Sequence, residues 1–148
     1  MDTGITGLLS TPAKIIPIEA GAVLHGVKAS DVGFAGFGEA YFSKIRKGSV
    51  KGWKKHTRMT LNLIVPVGSI RFIVYDSRAE SPTQGAIYDD IIGQENYARL
   101  TVPPGLWMAF QGVGDSINLL LNIASIHHDP NESMALPLSS PEMPHVTW

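Results

Sequence analysis

Lys51-Gly-Trp-Lys-Lys-His-Thr-Arg-Met-Thr-Leu-Asn-Leu-Ile-Val-Pro66 begins as a cationic cluster, Lys51, Lys54, Lys55 and Arg58, around the imidazole of His56. It then takes on a period of two, with Thr60, Asn62 and Ile64 alternating with Leu61, Leu63 and Val65, the pattern of a β-strand. Extended backward in one register, the polar side collects His56, Arg58, Thr60 and Asn62. One face then carries imidazole, cation, hydroxyl and carboxamide, and the other is aliphatic. Such a strand either shows its polar face to water or lines a ligand pocket with it.

The flanking segments point the same way. Ser69-Ile-Arg-Phe-Ile-Val-Tyr-Asp76 is rich in β-branched and aromatic residues and reads as the next strand. The spacing predicts that Met59–Pro66 and Ser69–Asp76 pair antiparallel across Val67-Gly68. Further strands are expected over 13–19, 21–28, 39–45, 86–92, 98–102, 106–111 and 116–125. The Gly-Phe loop at 32–38 and the Pro103-Pro104-Gly105 corner are among the breaks between them. No stretch sustains a 3.6-residue apolar repeat. Many short strands separated by Gly and Pro turns imply an all-β sandwich or barrel in a single domain. Residues 1–12 read as a flexible N-terminus, 13–130 as the body, and 131–148 as an extended C-terminal tail.

Composition narrows the function. The 148 residues suit one domain, and 12 basic against 13 acidic side chains give a net charge of −1. No overall field draws the chain to nucleic acid or to an anionic membrane. The absence of cysteine removes disulfides, thiolate metal sites and thiol nucleophiles. No run approaches a membrane span, and the N-terminus lacks the basic and apolar regions of a signal peptide. A cytoplasmic protein is the expectation.

The order of Phe37-Gly-Glu39, Lys51-Gly-Trp53, Ile70–Arg78, Val102-Pro-Pro-Gly105 and His128-Asp-Pro130 resembles the dTDP-4-dehydrorhamnose 3,5-epimerase-like cupin family over about residues 30–132. The wording Lys-Gly-Trp-Lys-x-His looks like a divergent branch in which it replaces Arg-Gly-Leu-His. The resemblance implies a double-stranded β-helix, a jelly roll, dimeric, with a nucleotide-linked sugar inside the barrel. It also exposes departures. The family's proton-abstracting His falls on Lys54, its acidic Tyr on Asn122, and its Lys on the following strand near Thr60 and Asn62. A related group, the nucleotide-sugar 3,4-ketoisomerases, carries Gly-x-His-x-His, and His56 matches the second of those imidazoles.

Proton transfer near neutral pH suits imidazole, so His56 is the candidate base, and Lys54 or Arg58 a cation for the developing enolate. The cationic cluster is either a solvated edge or a diphosphate site. Trp107 is either core or a stacking platform. Asn62 and Asn122 stand in aliphatic strands and each needs a partner. The expected set is therefore His56 and Lys54 as catalytic residues, with Arg58, Asn62, Trp107 and Asn122 binding substrate. No metal or other cofactor is expected: the central strand has no His-x-His and no nearby Glu, and His127-His128 project to opposite faces. A homodimer is expected. Two functions remain open: isomerisation or epimerisation of a nucleotide-linked 4-keto-6-deoxysugar, or a degenerate cupin that binds a sugar nucleotide or a protein partner.

Overall fold

A computed structural model describes residues 1–148. Twelve strands form in chain order. They are β1 (Leu9–Pro12), β2 (Ile15–Ile18), β3 (Gly21–Leu24), β4 (Glu39–Ile45), β5 (Val50–His56), β6 (Leu61–Val67), β7 (Ser69–Tyr75), β8 (Ile87–Gly93), β9 (Ala98–Val102), β10 (Trp107–Gly112), β11 (Asn118–Ala124) and β12 (Ser133–Ala135). Two five-stranded sheets, ordered β1-β9-β6-β11-β4 and β12-β5-β10-β7-β8, enclose the core, and β2–β3 form a separate hairpin. The chain is an all-β jelly roll of one domain. No helix is long and apolar enough to cross a membrane.

Alternation dictates the interior. Leu61, Leu63 and Val65 of β6 and Ile70, Phe72 and Val74 of β7 belong to one buried cluster between the sheets. Phe72 packs against Phe110 with ring centroids 5.8 Å apart, within the range of favourable aromatic pairs. The second apolar face of β7 has its own cover. Ile73 joins Trp53, Trp107, Ala109 and Met143 on the outside of the second sheet. The tail after β12 runs over this face: Leu136 exchanges backbone hydrogen bonds with Trp53, and Arg71 stacks on Trp148.

Three expectations are corrected. Strands β6 and β7 are not partners: β6 pairs with β9 and β11, whereas β7 pairs with β8 and β10. Only Gly68 separates them, too short a link for a hairpin. With φ at +79°, Gly68 turns the chain from one sheet into the facing one. The N-terminal twelve residues, read as flexible, include β1 in register with β9, and Ile5, Leu8 and Ser10 are buried. The polar face of the central stretch is not continuous. Chain parity changes across Thr57–Thr60, so Gly52, Lys54 and His56 face the interior from β5, whereas Leu61, Leu63 and Val65 do so from β6.

Candidate active site

A cavity of about 220 Å³ opens between the sheets. Strand β5 lines one wall with Lys51, Gly52, Lys54 and His56, and β10 adds Met108 and Phe110. The facing wall comes from Tyr41 and Ser43 of β4, Leu61 and Leu63 of β6, and Leu120 and Asn122 of β11. Val102, Pro103 and Leu106 are also in its lining. The site is therefore an apolar barrel interior with a few convergent polar groups, the usual form of a small-molecule pocket.

His56 is fixed from behind. Its Nδ1 lies 2.6 Å from Oε1 of Glu132, and the Glu132 side chain is 1% exposed. Oε2 of the same carboxylate accepts the backbone N–H groups of Thr57, Arg58 and Met59 at 3.0, 3.0 and 2.9 Å. Burial works to raise the Glu132 pKa, but the His56 and backbone hydrogen bonds overcome it and hold the value at about 2. Glu132 is thus a permanent anion beside the ring, where sequence reasoning expected a cation. An ionised carboxylate can only accept, so Nδ1 carries a hydrogen, and of the two neutral tautomers the contact selects the one whose lone pair is on Nε2. The Gly105 N–H donates to the His56 carbonyl at 2.8 Å, so the Pro-Pro-Gly corner secures the end of β5.

On the facing wall, Asn122 and Tyr41 are direct register partners. Asn122 Nδ2 donates to the Tyr41 hydroxyl at 2.8 Å. Burial pushes the Tyr41 pKa up, and the Asn122 hydrogen bond pulls it partly back. Asn122 Oδ1 is buried and has no partner. Lys51 and Lys54 make none of the chain's ion pairs, which leaves two unneutralised cations on the β5 wall.

Of the six residues singled out from sequence, His56, Lys54 and Asn122 meet in this cavity. The other three are elsewhere. Arg58 lies beyond the end of β5, exposed, and pairs with Asp129 at 3.0 Å. Asn62 points away from the barrel: Nδ2 donates to the Gly33 carbonyl, and Oδ1 accepts from Arg99 and Thr101. Arg99 goes on to bind Asp31 and the Val32 carbonyl, so this buried network pins the 26–33 loop to the sheet. Trp107 packs outward with Trp53 and Met143, under the Lys55 ammonium, 5.0 Å from the ring centroid. The parity change at Thr57–Thr60 is the physical reason for the first two. Trp107 fails because Met108 and Phe110 hold the inward positions of β10.

Sequence reasoning missed Tyr41 and Glu132. Tyr41, Ser43 and Ile45 do alternate toward one face of β4, but nothing in the sequence sets Tyr41 opposite Asn122. Glu132 lies 76 residues beyond its imidazole partner, in a stretch read as tail. No three His, Asp or Glu side chains converge as a metal set anywhere in the chain.

No family model matches the sequence. The crystal structure of a dTDP sugar isomerase from Desulfovibrio desulfuricans G20 superposes with a TM-score of 0.94 at 36% identity, covering 99% of this chain and 94% of that one. A probable low-salt glycan biosynthesis epimerase, Agl13, from Haloferax volcanii is 32% identical over 97 residues. That alignment covers 63% of this chain and 62% of Agl13, so the chain spans less than two thirds of this relative's length. The dTDP-4-dehydrorhamnose 3,5-epimerase from Sulfolobus tokodaii shares the fold at 23% identity, with a TM-score of 0.78 over 88% of this chain and 77% of that one. With 36% identity along nearly the whole length of both chains, and with the fold and order of motifs described above, this chain belongs to the dTDP-4-dehydrorhamnose 3,5-epimerase-like cupin family of sugar epimerases and isomerases.

Proposed function

We propose that the chain epimerises a nucleotide-linked 4-keto-6-deoxysugar by proton transfer at a carbon beside the keto group. The observation that carries this reading is the placement of an imidazole and a phenol on facing walls of one cavity. Epimerisation removes a proton from one face of a carbon and returns one to the other face. His56, its tautomer set by Glu132, supplies the lone pair of Nε2 for the removal. Lys54, two residues before His56 and so on the same face of β5, supplies a fixed cation for the enolate oxygen. Tyr41 donates its phenolic proton from the opposite wall. Afterwards the imidazolium loses its proton to water and the phenolate regains one, so the cycle is redox-neutral. The relationship to a dTDP sugar isomerase supports a sugar nucleotide as substrate, and the uncompensated Lys51 suits its diphosphate.

The test is solvent exchange. In deuterium oxide, a dTDP-linked 4-keto-6-deoxysugar should acquire one deuterium with inversion at the labelled carbon, read by NMR and mass spectrometry. If no nucleotide-linked ketosugar takes up deuterium, the cavity binds without catalysing. Arg58→Ala should exchange within about twofold of the wild type, because Arg58 pairs with Asp129 outside the cavity and an exposed pair contributes little.

Assembly as a homodimer is part of the same proposal. The aliphatic side of β6 is spent on the core, but Ile16, Ile18 and Val23 of the β2–β3 hairpin stay 42–52% exposed, and Phe42 on the edge strand β4 is 62% exposed. Exposed apolar side chains clustered on a hairpin suit an interface between copies. Light scattering at micromolar concentration is expected to give twice the chain mass, and a monomer there would overturn the assignment.

A further inference from the structure

The side-chain amide of Asn122 serves a single partner. Nδ2 donates to the Tyr41 hydroxyl at 2.8 Å across directly paired positions of β11 and β4. Oδ1 is buried without a partner, and the whole residue is 7% exposed. Leu120 and Ala124, on the same side of β11, belong to the hydrophobic core. A leucine at 122 would continue that packing and remove a half-satisfied buried amide, which works against the fold. Stability therefore does not account for Asn122, and its hold on Tyr41 does.

A phenol has one hydrogen to give, and an N–H bonded to its oxygen occupies a lone pair. The Tyr41 hydrogen is thereby turned off the line to Asn122. Burial raises the Tyr41 pKa, the Asn122 hydrogen bond lowers it, and the Glu39 carboxylate on the same strand raises it again. Lys51, Lys54 and His56 line the cavity across from the phenol. We propose that Asn122 is a positioning residue for the acid of this site: it keeps the Tyr41 hydrogen on the cavity side and stabilises the phenolate left by proton transfer, without touching the substrate. The O–H bond of Tyr41 breaks as the new C–H bond forms, and the electron pair stays on the phenolic oxygen under the Asn122 N–H. A hydrogen bond to a charged group is roughly twice as strong as a neutral one, so the contact strengthens as the proton leaves. The use made of that proton rests on the epimerase reading, whereas the grip of Asn122 on Tyr41 can be measured without turnover.

Asn122→Leu tests both. Deuterium exchange into a dTDP-linked 4-keto-6-deoxysugar should slow roughly tenfold to a hundredfold, the loss of one hydrogen bond to a developing charge. Calorimetric affinity for that sugar should stay within about threefold, and the melting temperature should hold or rise. A fall in stability alongside the rate would make Asn122 structural, and lost affinity at an unchanged rate would make it a substrate ligand; either result overturns the inference. In a Tyr41→Phe background, Asn122→Leu should slow exchange no further, and additive losses overturn it too. 3,5-Difluorotyrosine at position 41 ionises at lower pH than tyrosine and is followed by fluorine NMR. Asn122→Leu should move its titration midpoint upward. An unchanged midpoint overturns the inference, and so does a downward one, which would mean that Oδ1 accepts the phenolic hydrogen. Asn122→Asp can only accept, so it should raise the midpoint and slow exchange at least as much as Asn122→Leu; exchange at the wild-type rate overturns the inference. If no sugar exchanges deuterium, the epimerase reading fails, and the fluorine titration alone decides whether Asn122 governs Tyr41.

Discussion

Glu132→Gln is expected to lower the exchange rate by roughly a hundredfold to ten-thousandfold, close to the loss from His56→Gln, with the double substitution no worse than the single ones. The glutamine is isosteric and its oxygen can still accept the N–H groups that cap the carboxylate now. Its amide group, however, would donate to His56 Nδ1. The imidazole hydrogen then moves to Nε2, the nitrogen meant to take the substrate proton, and a correctly placed ring becomes a donor. Substrate affinity should change much less than the rate, because neither side chain is called on to hold the nucleotide. Exchange in Glu132→Gln within fivefold of the wild type would remove the carboxylate from the mechanism.

The same carboxylate makes a pH prediction of definite sign. Its pKa falls from an ordinary 4.5 to about 2 in the folded protein. A depressed carboxylate stabilises the fold above its unfolded pKa, and that contribution disappears as pH falls through the folded value. At about 1.4 kcal/mol per pKa unit, the contribution is ~3 kcal/mol, lost between about pH 4.5 and pH 2. Denaturant titrations over this window should show the wild type losing stability more steeply than Glu132→Gln.

Gly68→Ala is expected to destabilise the protein by about 3 kcal/mol or more, lowering the melting temperature by roughly 6–12 °C. Two effects combine. The φ of +79° disfavours any residue with a Cβ. A Cβ would also stand 2.8 Å from Asn118 Cα and press on Asn118 Oδ1 and the Ile117 carbonyl oxygen. Asn118 cannot retreat, because its Oδ1 accepts the Ser69 and Gly114 N–H groups and its Nδ2 donates to the Ile45 and Gly114 carbonyls. Gly85 has a similar φ of +89° and nothing within 4 Å of an added Cβ. Gly85→Ala should therefore lose only about 1 kcal/mol, the conformational part alone. Equal losses at the two positions would show that the corner between the sheets is not sterically closed.

The fold class and most of the strands were legible in the sequence, though β1 and β12 fell in segments read as loose ends. Period-two alternation over 61–65 and 69–75 and the Gly and Pro breaks are local properties, and they placed β4, β6, β7 and β9–β11 to within two or three residues. The order of motifs, read as a resemblance, carried the family. The sequence also marked His56, because an imidazole amid cations at a strand end is visible without a fold. Which strands pair was decided only in three dimensions, since a single glycine can end a strand in one sheet and begin the next in the other. Which side chains share the cavity was decided there too. The turn at Thr57–Thr60 reverses the parity of the chain, so Lys54 and His56 face inward while Asn62, in apparent register with them, faces the loop at Gly33. Glu132 and Tyr41 reach the site through contacts spanning 76 and 81 residues. No local period encodes such contacts: they exist only once the sheets close and the tail folds back onto β5.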